Sequence, residues 1–327
     1  MIIAEDLWKE FKVKGGAAVT AVKGVSFHVP RGEIFGFLGP NGAGKTTTIN
    51  ILCTLMRPTR GRAILNGWDV TEHPHRVRRS IGLVFQDPSL DERLTARENL
   101  EFHGMIYGMP GQRRRSQIDK VLSMVELEKR KDDLVKTFSG GMKRRLEIAR
   151  GLMHQPGILF LDEPTLGLDP QTRSHIWDYL HRLREEEQIT IFLTTHYMDE
   201  AENCSAIVII DHGEIIALGT PEELKEKVGG DIICLKADDN RSAAEFVKRV
   251  YGHEVTAAGD SISFEVERGE EFLPSFIKST DFEINSIGVR RPTLEDVFLK
   301  LTGHAIREES VDSMESMRAH VRRRRHG

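Results

Sequence analysis

Apolar positions along this chain fall into two patterns. Short continuous runs, EIFGFLG, IGLVFQ, GILFLDEP and ITIFLTTH, read as strands buried on both faces. Between them lie helical stretches, among them TTTINILCTLM after a glycine-rich loop and the amphipathic TRSHIWDYLHRLREEEQ. The chain opens with β character in MIIAEDLWKEFKV and VKGVSFHV, with a Pro30-Arg31-Gly32 turn before EIFGFLG. RAILNGWDV, after the Pro58-Thr59-Arg60-Gly61 turn, predicts a hairpin about Asn66-Gly67. AIVIIDHGEIIALG is interrupted by Asp211, His212, Gly213 and Glu214, and predicts two strands joined by a tight turn.

The character changes after Gln86. Residues 88 to about 155 predict helices: Thr95 with Glu98 forms a capping box, and Ile118, Val121, Leu122 and Val125 recur at helical spacing. Strand–helix alternation then resumes, so the first part of the chain, residues 1–228, reads as α/β with a helical insertion. It closes on TPEELKEKVGG, where Thr220, Pro221 and Glu223 mark a capped helix start and Gly229-Gly230 a boundary. Residues 231–303 alternate as βαββαβ plus a final helix, the order of a small ferredoxin-like α+β domain. That last helix carries Leu294, Val297, Phe298 and Leu301 on one face and is expected to dock on its own domain. From His304 the chain is polar and ends in Arg322-Arg323-Arg324-Arg325; this tail is expected to be disordered and solvated, with contact to anionic lipid as the alternative. No internal repeat is visible.

Composition narrows the class. The 327 residues are 39% hydrophobic and 29% charged, as in a globular protein. The net charge of −4 gives no basic field for nucleic acid, so no nucleic-acid partner is expected. The 3 cysteines, Cys53, Cys204 and Cys234, fit neither a disulfide framework nor a zinc site, which suits a reducing compartment. The first residues lack a secretory signal pattern, and no window reaches the ~18 uninterrupted apolar residues of a membrane span.

The chemistry begins at GPNGAGKTT, which comprises Gly39, Pro40, Asn41, Gly42, Ala43, Gly44, Lys45, Thr46 and Thr47. It fits G-x-x-x-x-G-K-[ST] between a strand and a helix. Its glycines let backbone N–H groups converge on phosphate oxygens. Lys45 reaches the β and γ phosphates, and the Thr46 hydroxyl can ligate Mg²⁺. GILFLDEP delivers Asp162 and Glu163 to the end of a buried strand, the first suited to Mg²⁺ and the second to polarising a water against the γ phosphate. Adjacent carboxylates here favour hydrolysis over binding alone; a surface turn before Pro164 is the alternative.

Three single residues depend on that setting. Gln86 closes IGLVFQ and can coordinate Mg²⁺ or sense the γ phosphate, or be a polar strand end. His196 closes ITIFLTTH and can hydrogen-bond the γ phosphate, or be structural. Phe11 precedes the loop and can stack on adenine, or belong to the core. In FSGGMKRRLEIARG, Ser139, Gly140 and Gly141 open a basic helix, a start able to hold an anion far along the chain from Lys45.

The order of these features, phosphate loop, Gln86, FSGGM, LDEP, GLDP and His196, resembles the ATP-binding cassette ATPases of ABC transporters over about residues 1 to 225. The resemblance implies a P-loop NTPase (RecA-like) core with an antiparallel β subdomain and a helical subdomain. It also implies ATP and Mg²⁺ as ligands. By position, Lys45 and the loop hold phosphates, while Thr46, Gln86 and Asp162 surround Mg²⁺. Glu163 is the general base, His196 the γ-phosphate switch, Asp169 part of the loop coupling two sites, and Phe11 the adenine-stacking aromatic. The helix start reads Phe138-Ser-Gly-Gly-Met142 where the family's more common form is Leu-Ser-Gly-Gly-Gln. VFQDPSLDERLTARENL is similar to the exporter branch, and RRPTLEDVFLKLTG to the daunorubicin/doxorubicin-resistance type.

The family resemblance further implies two copies closing head to tail around two ATP, with each phosphate loop facing the other copy's Ser-Gly-Gly. It implies a separate integral-membrane permease as partner, a peripheral place on the cytoplasmic side of the membrane, and efflux of a drug or other hydrophobic small molecule. A soluble cassette protein acting on ribosomes or DNA is the first rival. It is disfavoured by the single cassette and by the lack of room for a long coiled coil. An importer ATPase with a regulatory C-terminal domain is the second, and a structural subunit that binds nucleotide without hydrolysing it the third.

Overall fold

The computed structural model describes residues 1–12, 18–87, 89–227, 229–280 and 282–302. The basic tail, residues 304–327, lies outside the described residues.

The chain begins with the antiparallel strands β1 (Ile2–Lys12) and β2 (Ala18–Val29), then the fully buried β3 (Ile34–Leu38). The phosphate loop leads into α1 (Lys45–Leu52). β4 (Arg60–Leu65), β5 (Trp68–Asp69), α2 (Pro74–Ser80) and β6 (Ile81–Val84) follow. Next come α3 (Ala96–Ile106), α4 (Gly111–Met124) and α5 (Gly140–Leu152). Alternation resumes with β7 (Ile158–Asp162), α6 (Pro170–Glu187), β8 (Thr190–Thr195), α7 (Met198–Ala201), β9 (Ala206–Asp211), β10 (Glu214–Gly219) and α8 (Pro221–Glu226). The last part holds β11 (Asp231–Ala237), α9 (Asn240–Tyr251), β12 (Val255–Ala258), β13 (Ser261–Val266), α10 (Gly269–Ser279), β14 (Ile284–Arg290) and α11 (Leu294–Thr302).

These strands form three sheets, ordered β2-β1-β4-β5, β10-β9-β3-β8-β7-β6 and β12-β13-β11-β14 among the described residues. The second is parallel except for its β10 edge, and the continuous apolar runs of β3, β7 and β8 are buried on both faces as such a sheet requires. Its register places Leu38 beside Thr195 and Asp162 beside Thr194. The loops that follow β3, β7 and β8 therefore leave from one edge of the sheet, where open α/β sheets hold their ligands. Below that edge, Phe27, Phe35, Phe37, Phe160 and Phe192 pack ring to ring. The third sheet is antiparallel and has the strand order of a ferredoxin-like split βαβ unit.

Local signals held. Asn66 and Gly67 take left-handed backbone, at φ 50° and 85°, and close the β4–β5 hairpin. Both capping boxes are complete, Thr95 with Glu98 and Thr220 with Glu223.

Three expectations are corrected. First, α1 stops at Leu52 instead of continuing through TLM. Thr54 turns left-handed at φ 64°, and the amides of Thr54 and Leu55 bond back to the carbonyls of Ile51 and Asn50, a helix-ending motif. Second, β6 ends at Val84, so Gln86 lies beyond the strand and is exposed. The carbonyl of Phe85 accepts a hydrogen bond from Arg144 at 2.6 Å, drawing the chain off the sheet.

Third, α11 turns its apolar face mainly toward the first part of the chain, and meets its own domain through Ile232 in the same cluster and through Lys300, which donates to Glu265 at 2.7 Å. It packs against α7 and α8, and Leu294, Val297 and Phe298 join the cluster that holds Ala201, Ile207 and Leu224, while Leu301 is left 40% exposed. Its start is fixed by Arg290, which forks onto both oxygens of Asp296 at 2.5 and 2.8 Å, with Asp296 also accepting from Thr293. Phe298→Ala is expected to cost about 3–5 kcal/mol, because the vacated space lies in the main core. Urea unfolding checks this, and a loss near zero would contradict the docking.

Candidate nucleotide site

The phosphate loop is shaped by glycine where backbone approaches backbone. A Cβ on Gly39 would lie 2.2 Å from the Ile210 carbonyl oxygen, and one on Gly44, at φ 105°, 2.5 Å from that of Ala21. Gly44 is the N-cap of α1, so the first amides of that helix open toward the loop. Ala43 bonds back to Pro40 and its carbonyl accepts from Gly213, which anchors the loop to the β9–β10 turn. Asn41, Gly42 and Thr46 are exposed, Pro40 and Thr47 half-buried. Lys45 is 5% exposed, and its ammonium donates to the carbonyls of Gly39 and Pro40 at 2.6 and 3.1 Å. Burial pulls its pKa below the ordinary value, opposed by the charges of Glu163 and Asp162.

Both carboxylates meet Lys45 from the end of β7, and the end of β8 beside it supplies Thr194 and His196. Glu163 Oε1 lies 3.9 Å from the Lys45 ammonium and 3.1 Å from His196 Nδ1. Asp162 Oδ1 accepts a 2.5 Å hydrogen bond from Thr194. Burial, helped by the Glu163 charge, pushes the Asp162 carboxyl up against that hydrogen bond. Burial acts on Glu163 in the same sense, but the hydrogen bond and charge of His196, with Lys45, outweigh it and hold Glu163 below its ordinary value. Two adjacent carboxylates are thus driven apart in acidity, Asp162 upward by burial and Glu163 downward by His196 and Lys45. Its backbone sits at φ 45°, a strained conformation for a non-glycine residue.

Lys45, Asp162, Glu163 and His196 therefore form one cluster. Gln86 and Phe11 stand apart: Gln86 is exposed, and Phe11 is 37% exposed on β1 under the Lys9 ammonium at 5.3 Å. Thr46, Asp162 and Gln86 offer a hydroxyl, one carboxylate and an amide oxygen. Among the described residues no group of three or more His, Cys, Asp or Glu side chains gathers to form a closed metal cage. A donor set this sparse suits a small hard cation completed by phosphate oxygens, which is how Mg²⁺ is usually held.

The Ser-Gly-Gly helix start lies elsewhere. Ser139 caps α5 by accepting from the Met142 amide at 3.3 Å, and both Ser139 and Gly140 are exposed. Gly141 is required by packing, since a Cβ there would meet Thr172 Cγ2 at 2.3 Å. Thr172 in turn donates its amide and hydroxyl to Asp169, the N-cap of α6, at 2.9 and 2.6 Å. These hydrogen bonds hold the Asp169 carboxyl below its ordinary value. Beside them a cavity of about 180 Å³ is lined by Glu126, Ser139, Gly141, Met142, Arg145, Thr172 and His175. The Met142 side chain packs against the main core, which accounts for an apolar residue at that position.

Several working residues escaped the sequence. Thr194 ties Asp162 to the Glu163 amide, and Arg144, Glu147 and Ser89 join α5 to the segment after β6. A signal existed for Arg144: with Gly141, Ile148 and Leu152 it falls on the buried face of α5.

The fold and the Lys45 cluster define a P-loop ATPase cassette. Residues 22–166 match the ABC transporter family, and residues 219–302 match the C-terminal domain of DrrA1-3-like ATP-binding proteins. The chain is 40% identical to the daunorubicin/doxorubicin resistance ATP-binding protein DrrA of Streptomyces peucetius, over 89% of this chain and 91% of that one. It is 39% identical to the linearmycin resistance ATP-binding protein LnrL of Bacillus subtilis, over 94% and 100%. A dimeric post-hydrolysis structure of the ATP-binding cassette MJ0796, bound to ADP and phosphate, superposes with TM-score 0.61 and 31% identity, over 67% of this chain and 98% of that one. This chain belongs to the ATP-binding proteins of ABC transporters, in their drug-resistance branch. It is an ATP-binding, ATP-hydrolysing subunit of an exporter of that type.

Proposed function

We propose that two copies of this chain close head to tail around two ATP·Mg²⁺ and drive a separate integral-membrane permease from its cytoplasmic face. The observation that carries this is the separation within one chain: Lys45, Glu163 and His196 form one cluster, while the Ser139-Gly140 helix start is exposed and the cavity beside it is lined by none of those three. A second copy supplies the missing donors, as the dimeric cassette structures suggest.

In each shared site the loop amides of residues 39–47 and the Lys45 ammonium take the β and γ phosphates. Thr46, Asp162 and Gln86 would hold Mg²⁺, which would supply positive charge against that developing on the phosphates. Ionised Glu163 accepts a proton from the water as its oxygen forms a bond to the γ phosphorus and the bridging oxygen departs toward ADP. His196 orients Glu163 and donates toward the γ phosphate. Asp169, beside the Ser139 start, links the two sites, and Phe11 stacks on adenine. Loss of the γ phosphate removes the charge bridging the copies, and the dimer reopens.

Among the described residues no helix is long and apolar enough to cross a membrane, which supports a separate permease. The names of the relatives support a drug-like hydrophobic cargo. The test is co-expression with a candidate permease and measurement of ATP-dependent accumulation of a fluorescent hydrophobic drug in inside-out vesicles. Accumulation that vanishes in Lys45→Ala supports the reading. A chain that hydrolyses ATP but never associates with the permease-bearing membrane contradicts it.

A further inference from the structure

The helix that begins at Ser139 carries a buried cation with an unusual set of partners. Arg144 is 7% exposed. Its Nε donates to the Pro164 carbonyl at 2.7 Å and its Nη2 to the Asp162 carbonyl at 3.0 Å. Its Nη1 donates to the Phe85 carbonyl at 2.6 Å and to Glu147 Oε2 at 3.2 Å. Asp162 and Pro164 are the two neighbours of Glu163. On the opposite side, the Glu163 amide donates to the Thr194 carbonyl and hydroxyl at 3.2 and 3.1 Å.

We infer that Arg144 is a positioning residue that holds the Glu163 backbone in its left-handed conformation and so aims the general base; this rests on the proposed role of Glu163. A residue at φ 45° relaxes to ordinary backbone unless its surroundings over-determine it. The planar guanidinium fork grips the carbonyls before and after Glu163 while Thr194 fixes the amide between them. A lysine cannot reproduce that geometry, because an ammonium is a point donor on a flexible stem.

The charge of Arg144 is compensated in place. Glu147, 1% exposed, pairs with it and accepts from the Ser89 amide at 2.7 Å. The same guanidinium therefore joins the Ser139 helix, the Glu163 turn and the segment carrying Gln86 into one unit.

The test uses the full chain and reads ATP turnover and fluorescent-ATP affinity separately. Arg144→Lys is expected to lower kcat about tenfold or more while nucleotide affinity stays within about twofold, since the loss falls on orientation of the base. In a Glu163→Gln background the same substitution is expected to change residual turnover by less than about twofold, because a base already removed cannot be misaimed. If Arg144→Lys does not fold, the apolar pair Arg144→Met with Glu147→Met removes both charges together and carries the same expectation. Wild-type kcat in these variants overturns the inference. So does an equal loss in both backgrounds, which marks a merely structural role. Wild-type turnover in Glu163→Gln alone overturns the base assignment instead, so the two failures are distinguishable.

Discussion

Glu163→Gln lowers ATP turnover by about 10²–10⁴-fold, the range general-base catalysis supplies, while ATP still binds. The isosteric amide keeps the side chain between Lys45 and His196 but removes the proton acceptor. Loss of the negative charge leaves Lys45, Thr46 and the loop amides free to bind phosphate, so ATP affinity holds or rises. The γ phosphate then persists between two copies, and the variant accumulates as an ATP-dependent dimer that light scattering resolves from monomer. Turnover near wild type would show that another group takes the proton. The hydrogen bond and charge of His196, with Lys45, more than offset burial, so Glu163 stays ionised below its ordinary carboxyl range. The stability this interaction contributes is complete above the unfolded-state pKa and is lost as pH falls through the lower folded value.

Ser139→Arg is the second large effect. It replaces the α5 cap at a cost of about 1 kcal/mol, which the packed interior of the helix absorbs, since Arg144, Leu146 and Ile148 remain buried. The larger consequence is at the exposed start, where a long cation occupies the place the partner's γ phosphate would take. Turnover in a chain carrying Ser139→Arg in both copies is expected to fall about 10²–10³-fold, comparable to losing an oxyanion donor. Its tryptophan fluorescence and urea midpoint stay close to wild type. A wild-type rate would remove this helix start from the site.

How much of this was legible in the sequence follows from how local each signal is. The phosphate loop, the strand that delivers Asp162 and Glu163, both capping boxes and the Asn66-Gly67 hairpin depend on neighbours within a few residues. Residues 231–302 fold in the order their alternation predicts, because each element there is short and bounded by turn residues. What was not legible depends on distant partners. The apolar face of α11 announces burial, but nothing in a period of 3.6 says against what, and the partner proved to be α7 and α8. Gln86 falls outside β6 because Arg144, far along the chain, takes the carbonyl of Phe85. Thr194 reads as one more residue of an apolar strand until register sets it beside Asp162.

The central claim is that each catalytic site is shared between two copies, and complementation tests it most directly. Chains carrying Lys45→Ala and chains carrying Ser139→Arg are each inactive alone. They are mixed as monomers and ATP is added. If sites are shared, a mixed pair concentrates both lesions in one site and leaves the other intact. Half of randomly formed pairs are mixed, so turnover recovers to about a quarter of wild type. If each chain hydrolyses ATP within itself, every site in the mixture carries a lesion, and no activity returns.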